Sequence, residues 1–83
     1  MHEGALAVVI HTFRALPKGT PKRVVSEPDT VKPDADNIAK SVLDALNGVA
    51  WRDDTQVVHL QVRKNPRTRC EERIAVEIVE VTE

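Results

Sequence analysis

The sequence predicts an α+β fold: a small mixed sheet of about three strands, ordered strand, helix, strand, strand, with one amphipathic helix packed on it. Three observations predict it. An apolar, β-branched run occupies Ala5 to Arg14, a single helical stretch is bracketed by Asp34 and Gly48, and two later runs alternate apolar with polar residues.

Ala5 to Arg14 reads as a strand buried on both faces, because its apolar residues are nearly continuous. Leu16 to Lys32 carries Pro17, Gly19, Pro21 and Pro28, which rule out a continuous helix. It reads as a long irregular connection with a short extended piece at Arg23–Val24–Val25. A connection of that length in a small domain is often functional.

The helix is the best-defined element. Pro33 precedes the helix-start cluster Asp34–Ala35–Asp36–Asn37, and Gly48 stops the chain after Asn47. At about 100° per residue, Ile38, Ala39, Val42, Leu43, Ala45 and Leu46 share one side, and Asp36, Lys40 and Asp44 the other. Trp51–Arg52–Asp53–Asp54–Thr55 is a turn into a strand in which Val58, Leu60 and Val62 alternate with His59, Gln61 and Arg63. Asn65–Pro66 opens a hairpin connection reaching about Glu72. Arg73 to Val81 returns as the last strand, with Ile74, Val76 and Ile78 on one face. The crossover makes the first two strands parallel, and the hairpin pairs the last two antiparallel.

The chain has 83 residues, 41% of them hydrophobic and 30% charged, which fits one globular domain spanning 1–83. Ala5 to Ile10 is the longest apolar run, too short to cross a bilayer and without the basic flank of a signal peptide. No membrane role and a cytoplasmic location are expected. Cys70 is the single cysteine, so an internal disulfide and a thiolate zinc cluster are excluded. Phe13 and Trp51 are the only aromatics of the Phe, Trp and Tyr class, and so short a chain buries only about 60% of its extended surface. A homodimer is the expected source of further burial.

The net charge of −1 conceals segregation. Arg14, Lys18, Lys22 and Arg23 form one basic stretch, and Arg63, Lys64, Arg67, Arg69 and Arg73 another. Asp34, Asp36, Asp44, Asp53 and Asp54 lie between them. From charge alone both basic stretches read first as solvated loops, with phosphate contacts as the alternative. Each acid has an ordinary use too: a helix-start carboxylate accepts free N–H bonds, and Asp suits turns. If the turn after Trp51 lies beside the helix start, however, Asp34, Asp36, Asp53 and Asp54 converge. Hard oxygen donors without imidazole then select Mg²⁺, with Mn²⁺ as an alternative. An EF-hand is excluded, since the loop from Asp34 lacks Gly at its sixth position and Glu at its twelfth. His2, His11 and His59 show no ligand spacing.

Lys32–Pro33–Asp34–Ala35–Asp36–Asn37, then Leu43–Asp44–Ala45–Leu46–Asn47–Gly48, then Trp51–Arg52–Asp53–Asp54–Thr55–Gln56–Val57, resembles the central signature of the RusA family of Holliday junction resolvases. The likeness is dense over Lys32 to Lys64 and weaker in the flanking strands. It implies a Mg²⁺-dependent endodeoxyribonuclease, often prophage-encoded, that cuts four-way DNA junctions as a homodimer in recombination and repair. Asp34, Asp36 and Asp54 match the family's essential acids and Lys40 its essential lysine, with Asp53 in the neighbouring acidic position. The basic residues Lys18, Lys22, Arg23, Arg63, Lys64, Arg67 and Arg69 are the candidate DNA contacts.

Trp51 reads first as a packing residue. Relative to the family pattern the sequence reads as N-terminally truncated, without the usual first strand and helix. That leaves an exposed sheet edge or an uncovered face. The competing expectation is a non-catalytic remnant or DNA-binding module of the same fold, whose acids serve only caps and turns.

Overall fold

The computed structural model describes residues 1–82. Its elements are β1 (Leu6–Phe13), β2 (Ser26–Glu27), α1 (Ala35–Leu46), a 3-10 turn (Asp54–Gln56), β3 (Val57–Lys64), β4 (Arg67–Thr68) and β5 (Arg73–Glu80). The fold is α+β: one helix, a three-stranded mixed sheet and a small two-stranded sheet.

The large sheet has the order β3-β1-β5. β1 is parallel to β3, as the crossover requires, and antiparallel to β5. The expected β3–β5 hairpin does not form. The physical reason lies in β1, the most apolar strand, which takes the centre and satisfies backbone groups on both its edges. The segment after β3 therefore crosses the end of β1 instead of doubling back. Thr68 N–H donates to the Arg14 carbonyl at 3.2 Å, and Leu16 N–H to the Thr68 carbonyl at 2.9 Å. Beside this crossing, β2 pairs with β4, so the short extended piece falls at Ser26–Glu27 and not at Arg23–Val25.

β1 is also not buried on both faces. Leu6, Val8, Ile10 and Thr12 are buried, whereas Ala7, Val9, His11 and Phe13 on the other face are only half-buried. The helix packs on the first face: Ile38 joins Leu6, Val8, Ile10 and Trp51 in the core, with Val42, Leu43, Leu46, Val57, Val62 and Ile78 around it. Ile74, Val76 and Ile78 share this face, opposite Thr12, Ile10 and Val8. The expected alternation in β3 fails at Val58 and holds from Leu60, which pairs with Val8, and Val62, which pairs with Ile10. A register shift between Leu6 and Ala7 leaves Val58 out of the ladder, and it stands 62% exposed.

The helix matches the sequence pattern except at Ala45, which is expected on the packed side and stands exposed. Asp34 caps it, accepting the Asn37 N–H at 3.0 Å, and Asp36, Lys40 and Asp44 lie exposed. Gly48 follows the last turn at φ 78°, a conformation that favours glycine. No helix among the described residues is long and apolar enough to cross a membrane.

The chain is extended for its size. Its Cα radius of gyration is 15.2 Å, with extents of 47 × 23 × 18 Å. A compact domain of this length has a radius of about 12 Å. Val25, Val58, Leu60, Ile74, Val76 and Val79 remain exposed, and both β3 and β5 are open edges of the large sheet.

Candidate active site

The two acidic pairs sit at opposite ends of the helix. The helix start is tied to the ends of β1 and β3: Arg14 Nη1 donates to the Lys32 carbonyl at 2.8 Å, and Lys64 Nζ to the Val31 carbonyl at 2.6 Å. Asp34 and Asp36 follow directly. After its last turn the chain comes back under the beginnings of the same strands, where His2 N–H donates to the Ala50 carbonyl at 2.8 Å. Asp53 and Asp54 belong to that corner. A helix of 12 residues separates the corners by about 18 Å.

Each carboxylate has its own surroundings. Asp34 is the helix cap, and its carbonyl accepts the Ile38 N–H at 3.1 Å. Asp36 and Lys40 stand exposed on the outer side, one turn apart, and no ion pair among the described residues includes Lys40. Asp53 accepts the Thr55 hydroxyl at 2.7 Å. Asp54 Oδ1 accepts the indole N–H of Trp51 at 2.8 Å. Trp51 itself is fully buried, in the packing role its sequence context suggested.

Two residues without an assigned role in the sequence prove central to these corners. Gln56 Oε1 accepts the N–H groups of Arg52 at 2.7 Å and Asp53 at 3.0 Å, while its Nε2 donates to the carbonyls of His2 and Gly4 at 3.0 and 3.1 Å. The whole amide thus pins the acidic turn to the chain leading into β1. Its signal was the spacing itself, a Gln three residues after Asp53, which is the second half of a capping box. The other residue is Asp29, whose side chain is buried between Arg14 and Lys64. Nothing in a proline-rich connection marks one Asp for burial.

The basic residues divide into two groups. Lys18, Lys22, Arg23 and Arg63 are exposed, although Arg63 Nε is bonded to Asn65 Oδ1 at 3.0 Å. Lys64, Arg67 and Arg69 direct donors at backbone carbonyls: Val31 for Lys64, Ala15 for Arg67, and Thr20, Pro21 and Val24 for Arg69. The Arg69 bonds bring the two basic stretches together, because Lys22 and Arg23 lie within the segment it holds. They form one lobe beyond the end of β1, at the same end of the sheet as Asp34 and Asp36. A groove of about 380 Å³ opens there, lined by Phe13, Ile38 and Ile74 with Arg14, Glu72 and Arg73. The Arg73 guanidinium lies 3.9 Å from the centre of the Phe13 ring.

The donor chemistry of the four aspartates suits a hard divalent cation, but one chain does not assemble them. Mg²⁺ takes oxygens at about 2.0–2.1 Å, which carboxylates at opposite helix ends cannot provide together. Among the described residues no three His, Cys, Asp or Glu side chains group to hold a metal ion.

Comparison with known proteins extends over nearly the full chain. The family described as Endodeoxyribonuclease RusA matches residues 1–79. The chain is also 38% identical over 69 residues to "Uncharacterized protein YqaN" of Bacillus subtilis (strain 168), covering 74% of this chain and 49% of that protein. It therefore spans about half the length of that curated relative. No solved structure matches it.

Proposed function

Because this chain belongs to the RusA family of endodeoxyribonucleases, we propose that it hydrolyses phosphodiesters in branched DNA, specifically four-way junctions, as a homodimer supported by Mg²⁺. Mn²⁺ is the natural substitute, and recombination and repair are the settings in which such junctions arise. One observation carries the reading. An exposed helix start bearing Asp34, Asp36 and Lys40 lies at the same end of the sheet as a lobe bearing Lys22, Arg23 and Arg69.

A homodimer supplies what a single chain leaves undone. The acidic corners are a helix length apart, apolar strand residues are exposed, and the radius of gyration exceeds that of a compact domain. A two-fold axis passing near the middle of the helix sets the helix start of one copy against the Trp51–Asp54 turn of the other. Asp34 and Asp36 would then share a site with Asp54 of the partner subunit. Hydrolysis needs a group that takes a proton from water and a cation that meets the charge growing on the phosphate. The carboxylates suit the first role and Lys40 the second, while Asp53 steadies the turn through Thr55. Bound Mg²⁺ contributes charge relief and a more acidic water. Lys18, Lys22, Arg23 and Arg63 supply phosphate contacts, and Lys64, Arg67 and Arg69 shape the surface that presents them.

A synthetic four-way junction incubated with the protein and Mg²⁺ or Mn²⁺ tests the proposal. Paired symmetrical nicks are expected, lost in Asp34→Asn and Asp54→Asn with binding retained. A linear duplex cut as fast as the junction would remove the junction selectivity.

A second reading has an observation of its own. Asp34, Asp53 and Asp54 each already serve a bond within the chain, as a non-catalytic DNA-binding module would require. In that case calorimetry detects no cation binding, and replacing Asp34 costs only about 1 kcal/mol of stability.

A further inference from the structure

We infer that Asp29 is a positioning residue for the acidic helix start, acting through Arg14 and Lys64; this rests on the nuclease reading above. The Asp29 side chain is completely buried. Its Oδ1 faces two cations, Arg14 Nη1 at 3.7 Å and Lys64 Nζ at 3.9 Å, and accepts the Val31 N–H at 3.4 Å. Among the described residues its Oδ2 has no hydrogen-bond partner. The charge compensation of this carboxylate therefore runs through Arg14 and Lys64.

The same two cations grip the backbone leading into the helix. Arg14 Nη1 donates to the Lys32 carbonyl, and Lys64 Nζ donates to that of Val31. Arg14 follows the end of β1, and Lys64 ends β3 beside Thr12. The sheet thus reaches out through two cations to fix Val31 and Lys32, with only Pro33 between them and Asp34. Both cations are mostly withdrawn from solvent, at 27% and 15% side-chain exposure. Without a buried counter-charge they would turn outward to water, and the segment they hold would be released. Asp29 keeps them inward. The clamp sets where Asp34 and Asp36 lie, and an ångström of misplacement in a reacting group can cost about 100-fold in rate.

Asp29→Asn tests this, since it removes the charge while keeping the shape. On the four-way junction with Mg²⁺, kcat is expected to fall by about tenfold or more while KM stays within about twofold, because Asp29 is buried and touches no DNA. Amide hydrogen exchange gives a readout independent of cutting. Asn37 and Ile38, whose N–H groups bond to Asp34, should exchange faster, while Val8 and Ile10 in β1 keep their protection. Lys64→Met should reproduce both effects, and Lys64→Arg should restore them. Unchanged exchange at Asn37 and Ile38 in Asp29→Asn would overturn the clamp. So would a loss of protection uniform across β1 and the helix, which marks plain destabilisation. A wild-type protein that cuts no junction while Asp29→Asn loosens Asn37 and Ile38 would remove the nuclease reading and leave the clamp standing as a structural device.

Discussion

The buried indole of Trp51 donates its N–H to Asp54 Oδ1 at 2.8 Å, so an anchor of the core also orients an acid of the candidate site. A carboxylate at the end of a turn otherwise rotates freely about its side-chain bonds. Held by a rigid ring that is itself fully enclosed, Asp54 offers its second oxygen in a defined direction.

Replacement of Trp51 by Phe separates packing from orientation. The ring volume is largely kept and the donor is lost, so stability in urea should drop by about 1–3 kcal/mol, combining one hydrogen bond with a small void. Junction cutting should fall further than the folded fraction does. Equal losses in both would mean that the indole bond serves stability alone.

Gln56 is expected to be more costly to truncate than its half-exposed position implies. Two of its four amide bonds close the acidic turn on itself, and the other two join that turn to the chain before β1. Gln56→Ala should destabilise the protein by about 2–4 kcal/mol, at roughly 1 kcal/mol per bond with allowance for water replacing some of them. Gln56→Glu keeps both acceptor bonds but sets an anionic oxygen against the His2 and Gly4 carbonyls in place of two donors, so its midpoint in a denaturant titration should fall no higher than that of Gln56→Ala.

The helix was legible because its signals are local. A cap, a glycine stop and apolar positions at helical spacing all lie within Asp34 to Gly48, and each acts within a turn or two of chain. The strand order was not legible. Asn65 to Glu72 has the length and composition of a hairpin loop, yet β5 goes to the far edge of β1. That choice depends on which edge is free once β3 is in place, a non-local matter. Burial of Asp29 and the inward turn of Lys64 were hidden for a similar reason, since each is decided by the other. The separation of the acidic pairs, by contrast, was derivable. In a crossover between parallel strands the helix runs back along the sheet, so its first residues and the turn before the next strand belong to opposite ends.

The lobe formed by the two basic stretches predicts a graded response to charge removal. Lys22→Ala and Arg23→Ala should each weaken junction binding almost uniformly across DNA sequences and lower the salt slope by about one unit or less. Arg69→Ala should do more, because Arg69 holds the carbonyls of Thr20, Pro21 and Val24 and so keeps Lys22 and Arg23 on the lobe. Electrophoretic shifts measured over a range of NaCl concentrations distinguish the two kinds of effect. An Arg69 variant no weaker than Lys22→Ala would show that the lobe does not depend on this anchor.

The separation of the acids within one chain makes a mixing experiment decisive for the proposed dimer. Let Asp34→Asn and Asp54→Asn be co-expressed with different tags and the mixed species purified. If every site draws Asp34 from one copy and Asp54 from the other, the two substitutions fall together in one site, and the second site is intact. The mixed dimer should then bind Mn²⁺ at one site by calorimetry and nick one strand of a junction, although neither parent dimer does so. If each copy carries its own complete site, both sites of the mixed dimer are damaged, and it stays as inactive as its parents. If the proposed second copy supplies the burial that this small core and large radius leave undone, the stability of the wild type should rise with protein concentration as well. Unfolding midpoints that stay constant over a hundredfold range of concentration, together with an inactive mixed dimer, would return the two acidic corners to separate structural duties as a cap and a turn.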